Sequence, residues 1–169
     1  MGIRQLIGEI ARTPDCVVHE PRGLPLVQAE HLIPEDLRTF YELCGGMSIF
    51  QQAASSVSIV GPHEFRLANP VIVQSKRSMD DISWSWYIVA IEQLPQYMVI
   101  DLDPKRLGRC YDGFWDIDAI VGSCPIIASS FTDLLYRLFE NKGNRLYFLT
   151  DNFTPIGDAY GQVGNINVA

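Results

Sequence analysis

The sequence predicts a single α+β domain, in which a twisted, mostly antiparallel central sheet is flanked by helices. Apolar residues recur at helical spacing in segments towards the two ends of the chain, whereas β-branched and aromatic runs occupy the middle. No internal repeat, charged block or linker divides the 169 residues, a length that suits one domain. We therefore treat residues 1–169 as one folding unit.

The first helix is predicted over residues 2–12. Ile3, Leu6, Ile7 and Ile10 follow the i, i+3, i+4, i+7 spacing of one helix face.

A second helix is predicted to begin at Pro34, because proline loses nothing in a first helical turn. Glu35 and Asp36 follow where the positive end of the helix favours acids. Gly45 and Gly46 are predicted to end it, since glycine readily takes the left-handed conformation that closes a helix.

Short strands are predicted next, at residues 48–50 and 57–60. Residues 63–68 are predicted to form a short helix that ends before Pro70, and residues 71–73 have strand composition.

The central sheet is predicted from two β-branched and aromatic runs, residues 86–91 and 97–102, which read as an antiparallel hairpin. Residues 109–111 are expected to add a third strand.

The last helix is predicted to start at Ser130, whose hydroxyl can cap it, with Asp133 in the capping-box position. Its apolar stripe is the cleanest in the chain: Phe131, Leu134, Leu135, Leu138 and Phe139. Residues 146–149 are expected to add a strand.

Charge and composition argue against several classes of function. With 13 basic and 20 acidic residues the chain has a formal net charge of −7. It therefore lacks the basic surface that a nucleic-acid-binding protein needs. No apolar stretch approaches the roughly 20 residues of a membrane span. The four cysteines form no CxxC motif and no secretory signal is evident, so we expect a cytoplasmic protein with reduced thiols.

Sequence motifs for catalysis are missing. None of the three histidines lies in HExxH, no GxSxG elbow occurs, and no glycine-rich loop has the lysine of a phosphate cradle. His31, just before a helix, is expected at the surface. We assign no catalytic residue, cofactor or metal, although a Ser-His-Asp or Cys-His site stays open because its members meet only in space.

Paired acids are the most suggestive polar feature. Asp101 and Asp103 frame a strand end, and Asp116 and Asp118 frame Ile117. Such pairs can bind a divalent cation or act as general acid and base. Aspartate also forms turns, as expected at Asp103, so the structural interpretation is favoured.

A cluster of aromatic residues offers a binding face. We expect Trp86 to lie in the core, and Trp84 or Trp115 to be partly exposed, where aromatic side chains anchor protein interfaces.

The order of these signals resembles the SUKH superfamily, in its Smi–Knr branch. Ile33 and Pro34 precede an acidic helix start, and the helix ends at Gly45-Gly46. The later elements also follow in the same order. They are a short helix after a glycine-containing turn (61–68), a strand that begins with Trp (86–91), a strand that ends in Asp (99–101), a Gly before an aromatic strand (108–111) and a helix that begins with Ser and Phe (129–139). The resemblance spans residues 30–140 and leaves 141–169 as a C-terminal extension. It departs from the pattern at Cys44-Gly45, where Asn often stands.

The resemblance implies a compact α+β fold without common catalytic residues. Many members are bacterial immunity proteins that neutralise a toxin, while a fungal relative regulates cell-wall synthesis. We therefore expect a non-enzymatic protein, monomeric or weakly dimeric, that binds a toxin domain; a regulatory scaffold is the alternative, and an enzyme comes third. The candidate contact residues are Trp84, Asp101, Asp103, Tyr111, Asp112, Trp115 and Asp116.

Overall fold

The computed structural model describes residues 1–74, 79–92, 96–113 and 124–160. The described residues share one hydrophobic core. None of their helices has the length and apolar character of a membrane span.

One antiparallel sheet organises the described chain, and its strands lie side by side in sequence order. Each strand pairs with the next, so the sheet is a simple meander. The strands are β1 (Val17–Val18), β2 (Met47–Ile49), β3 (Val57–Ile59), β4 (Trp86–Glu92), β5 (Tyr97–Asp101), β6 (Cys110–Asp112) and β7 (Ile126–Ala128). The predicted α+β class and the central hairpin are confirmed.

Helices pack on this sheet and on one another. The α-helices are α1 (Ile3–Ala11), α2 (Glu35–Leu43), α3 (Asn69–Ile72) and α4 (Phe131–Glu140), and the 3-10 turns are Ile82–Ser85 and Tyr147–Leu149. α1 packs against α2, α4 and β1, and α4 also contacts α2 and β7. Ser130 caps α4 by accepting the backbone N–H of Asp133 at 3.0 Å, as predicted.

Five aromatic rings in series join the helices to the sheet. Phe131 on α4 contacts Phe40 at 4.9 Å between centroids, and Phe40 contacts Tyr41 at 5.1 Å. Tyr41 then contacts Phe65 at 5.8 Å, and Phe65 stacks on Tyr87 of β4 at 5.2 Å. Each such pair contributes about 0.5–1.5 kcal/mol beyond the area it buries.

Gly45 and Gly46 do not end α2 in the way that the sequence predicts. α2 ends because Cys44 is extended, with φ −153° and ψ 159°. A Cβ on Gly45 would lie 2.3 Å from the carbonyl oxygen of Glu20, and one on Gly46 would lie 2.8 Å from that of Ile59. Gly46 also has φ +106°. The two glycines are needed because three backbone segments meet closely here.

Two predicted elements after β3 are wrong. Residues 63–68 form no helix, and residues 71–73 form no strand, since α3 occupies residues 69–72 instead. Pro70 lies in the first turn of α3, where its missing N–H has no cost, so it starts a helix rather than ending one.

The C-terminal extension covers the last strand of the sheet. The predicted strand at residues 146–149 is wrong, because Tyr147–Leu149 is a 3-10 turn. Beyond it, Ile126 N–H donates to the Gly157 carbonyl at 2.8 Å, and Ala159 N–H donates to that of Cys124 at 2.8 Å. This pairing occupies the edge that β7 would otherwise present to other chains.

Substituting Gly45→Ala is predicted to lower the free energy of unfolding by about 1–3 kcal/mol, because the new methyl meets backbone that cannot yield. Gly8→Ala is the matched control. Its Cβ would have only an ordinary contact of 3.6 Å with Arg12, and we expect it to stabilise α1 by about 0.5–1 kcal/mol. Urea unfolding of both variants measures the difference, and equal stabilities would contradict the close-approach account.

Candidate functional site

A fully buried carboxylate, Asp101, stands at the end of β5. Its Oδ1 accepts the Ser85 hydroxyl at 2.6 Å and the Asp103 backbone N–H at 3.0 Å. Its Oδ2 accepts Nε of Arg106 at 2.8 Å, and the Arg106 fork also reaches Asp103 at 3.4 Å. Burial opposes the charge of Arg106, but the hydrogen bond and charge of Asp101 outweigh it and raise the pKa of the guanidinium.

Two aromatic rings cover the same carboxylate. Trp86 and Tyr111 stack at 4.6 Å, and both donate to Oδ2 of Asp101, from Nε1 at 3.2 Å and from the hydroxyl at 3.5 Å. Burial first, and then the Asp101 charge, raise the pKa of the Tyr111 phenol. The arrangement ties β4, β5 and β6 together, which is a structural role.

Next to this cluster, Trp84 is half-buried on the turn that precedes β4. Its ring meets His31 edge-on, with 5.8 Å between the ring centroids. Asp103, whose side chain is 31% exposed, and the exposed Glu30 both exert their charge on His31. We call Glu30, Trp84 and Asp103 the Trp84 face, an acidic and aromatic surface suited to a cationic partner side chain.

His31 is buried behind this face, with 5% exposure, so its predicted place at the surface is wrong. The Tyr87 hydroxyl accepts the Gln28 N–H at 3.1 Å and lies 2.9 Å from Nδ1 of His31. Nδ1 and the hydroxyl share this hydrogen bond, and its direction depends on which ring nitrogen carries the hydrogen. Nε2, the other ring nitrogen, has no hydrogen-bond partner among the residues that the structure describes.

Desolvation by burial lowers the pKa of His31, and it outweighs the charges of Glu30, Asp101 and Asp103, which act to raise it. The neutral ring thus suits this environment.

The structure separates the predicted contact residues. Trp84 is partly exposed and Trp86 is buried, as predicted. Asp101 and Tyr111 are both 0% exposed. Their contact with a partner stays a prediction.

Asp112 is nearly buried too, at 7% exposure, and its carboxylate accepts the side-chain amide of Gln96. Its contact with a partner likewise stays a prediction. Trp115 and Asp116 lie outside the described residues. Sequence reasoning did not find Glu30, because its charge acts on His31 and only the fold brings His31 against Trp84.

Apart from the Trp84 face, the described structure has a cavity of about 650 Å³ on the surface of the sheet. Ser48 and Ser58 line it together with His19 and His63. Glu64, also in its lining, already accepts the backbone N–H of Gly61 at 3.1 Å. Within the described ranges no group of three His, Cys, Asp or Glu side chains could hold a metal ion.

Comparison with known proteins identifies a relative over nearly the whole chain. Immunity protein YokJ of Bacillus subtilis (strain 168) is 48% identical over 160 residues, which is 95% of this chain and 96% of the relative. The chain belongs to the family of immunity protein YokJ. Fewer residues of this chain are left unmatched to YokJ than the C-terminal extension contains, so the extension is at least partly shared. No protein-family model matches the chain, and no solved structure matches it.

Asp101→Ala is predicted to lower the free energy of unfolding by about 3–5 kcal/mol, because it leaves Arg106 and two buried hydroxyls without their acceptor. Asp103→Asn should change it by less than about 1 kcal/mol, since the amide oxygen can still accept the Lys105 N–H. Denaturant unfolding of the two variants checks the contrast. Similar losses would show that the buried network does not hold the strands.

The stability of the chain should fall as the solution becomes acidic, in part through His31. Its folded-state pKa is lowered from 6.5, so its contribution is fully present above pH 6.5 and is lost as the pH falls from there to the folded pKa. His31→Phe should flatten the pH dependence of the unfolding free energy in this window. Parallel curves for the wild type and His31→Phe would refute this role of His31.

Proposed function

We propose that this chain is an immunity protein that binds a cognate bacterial toxin domain and neutralises it. The observation that carries the proposal is the 48% identity to immunity protein YokJ across 95% of the chain. The chain would act in the cytoplasm by covering the toxin, without catalysis of its own. An interface of about 1,600 Å² would be enough if it held a few well-buried anchors.

We also propose that the chain is a SUKH protein of the Smi–Knr type. The order of motifs from Ile33 to Phe139 supports this, as does the α+β architecture on which that order lies. The segment from Ile33 to Gly46 would then be a structural signature, since it sets the start of α2, its buried face and the glycine corner.

The Trp84 face is our proposed contact with the toxin. Trp84 offers a half-buried indole that a partner could finish desolvating, and aromatic residues of this kind dominate interface energies. Glu30 and Asp103 set an acidic rim beside it, which would speed association with a basic toxin surface. The net charge of −7 acts in the same direction.

Expression of this chain is predicted to restore growth to cells that produce its cognate toxin domain, for which a toxin gene adjacent to its own is the first candidate. The toxin alone should stop growth, and an unrelated immunity protein should not rescue it. Failure to rescue, combined with weak binding to several cellular proteins, would instead favour the regulatory scaffold.

Trp84→Ala is predicted to weaken binding to that toxin domain by about tenfold or more. Truncating an aromatic side chain at an interface hot spot costs more than about 1.4 kcal/mol of binding free energy, which corresponds to a factor of about ten in affinity. Asp103→Asn should mainly slow association, by an amount that shrinks as salt rises. Tyr136→Ala, at an exposed position of α4, and Asp151→Asn, also exposed, are the matched controls. Surface plasmon resonance on folded variants checks these values, and wild-type kinetics for both test variants would remove the Trp84 face from the interface.

A further inference from the structure

A shallow apolar groove runs beside the sheet, between the loop at residues 26–28 and the segment at residues 65–71. Its volume is about 520 Å³. Its apolar lining includes Val27, Phe65, Leu67 and Val71. We call it the Leu67 groove.

Residues 66–68 form an edge of the sheet at this groove, and part of their backbone is left unpaired there. Residues 66–68 run antiparallel to β4, where Ala68 N–H donates to the Trp86 carbonyl and Ile88 N–H donates to that of Arg66, both at 2.9 Å. In this pairing the N–H and C=O of Leu67 point away from β4. Neither group has a hydrogen-bond partner in the part of the chain that the structure describes. An unpaired strand edge is a template for an extended backbone.

Exposed apolar surface continues from the groove. Leu26, which lines it, is 93% exposed. Together with Val27, Leu67 and Val71 in the same lining it forms a contiguous apolar patch, and such patches mark surfaces that bind other proteins.

The groove also has a charge preference. Arg66 lines it, and among the described carboxylates none lies within ion-pair distance of its guanidinium. A cation in an apolar groove favours a segment that carries a carboxylate next to apolar residues. This preference is opposite in sign to that of the Trp84 face.

The loop joins the two surfaces. Leu32 N–H donates to the Leu102 carbonyl at 3.0 Å, and the preceding residue, His31, contacts Trp84. On the other side, Gln28 is held by the Tyr87 hydroxyl at 3.1 Å and lines the groove. One partner could therefore cover the Trp84 face and the Leu67 groove together.

We propose that the Leu67 groove binds an extended segment of the toxin domain, which adds as a short strand along Leu67. Its backbone pairs with the free N–H and C=O of Leu67, an apolar side chain packs against Leu26 and Val27, and a carboxylate meets Arg66. This inference rests on the proposed function and identifies a second, separable part of the interface.

The test compares Leu67→Pro with Leu67→Val. Proline removes the outward N–H but keeps both hydrogen bonds to β4, because neither uses the Leu67 amide. Valine keeps the amide and a similar apolar side chain. With the toxin domain that the growth test identifies as the probe, we expect Leu67→Pro to bind about tenfold or more weakly and Leu67→Val to bind within about twofold of the wild type.

Amide hydrogen exchange of the wild-type chain gives a second readout that needs no variant. The Leu67 amide should exchange rapidly in the free chain and become protected in the complex. Equal binding by both folded variants, or a Leu67 amide that stays unprotected in the complex, would overturn the groove while leaving the immunity function intact. Protection of Leu67 in a homodimer of the free chain would also overturn it, and a wild-type chain that binds no toxin domain would overturn both proposals.

Discussion

The buried carboxylate of Asp101 is the constraint on which the centre of the fold depends. A charge without exposure is tolerated only when donors surround it, and here they come from the turn before β4, from β4 itself, from β6 and from Arg106. The network fixes the end of β5 and the turn that follows. Because Trp84 precedes Ser85 and Trp86, and Asp103 follows Asp101, the same network holds two of the three residues of the Trp84 face in place.

Much of the fold could be predicted from local patterns. α1, α2, α4 and the β4–β5 hairpin follow from apolar periodicity, capping residues and β-branched runs, which act within a few residues. β1, with only two residues, is too short for such a pattern, and β7 is not predicted either; both exist because neighbouring strands pair with them. Pro70 illustrates the limit: proline can end a helix or begin one, and the choice depends on packing that its neighbours in sequence do not encode.

The candidate site was harder to predict, because exposure and proximity are tertiary properties. Asp101 and Tyr111 have the composition of a binding face, yet they point inward, whereas Glu30 reaches the Trp84 face from a loop far away in sequence. His31 looked like a surface residue and proved to be buried against Tyr87. The loop at residues 26–32 therefore lies between two different surfaces. On one side is the acidic and aromatic Trp84 face, and on the other is the apolar Leu67 groove that carries Arg66.

The central claim is that this chain works by covering another protein with its folded surface. The most direct test is a titration of the toxin domain's activity with increasing amounts of this chain, followed by mass spectrometry of the toxin. The account predicts that activity falls in proportion to the chain added and vanishes at equal molar amounts, with the toxin chemically unchanged. Complete inactivation by a small fraction of an equivalent, or a toxin of altered mass, would contradict it.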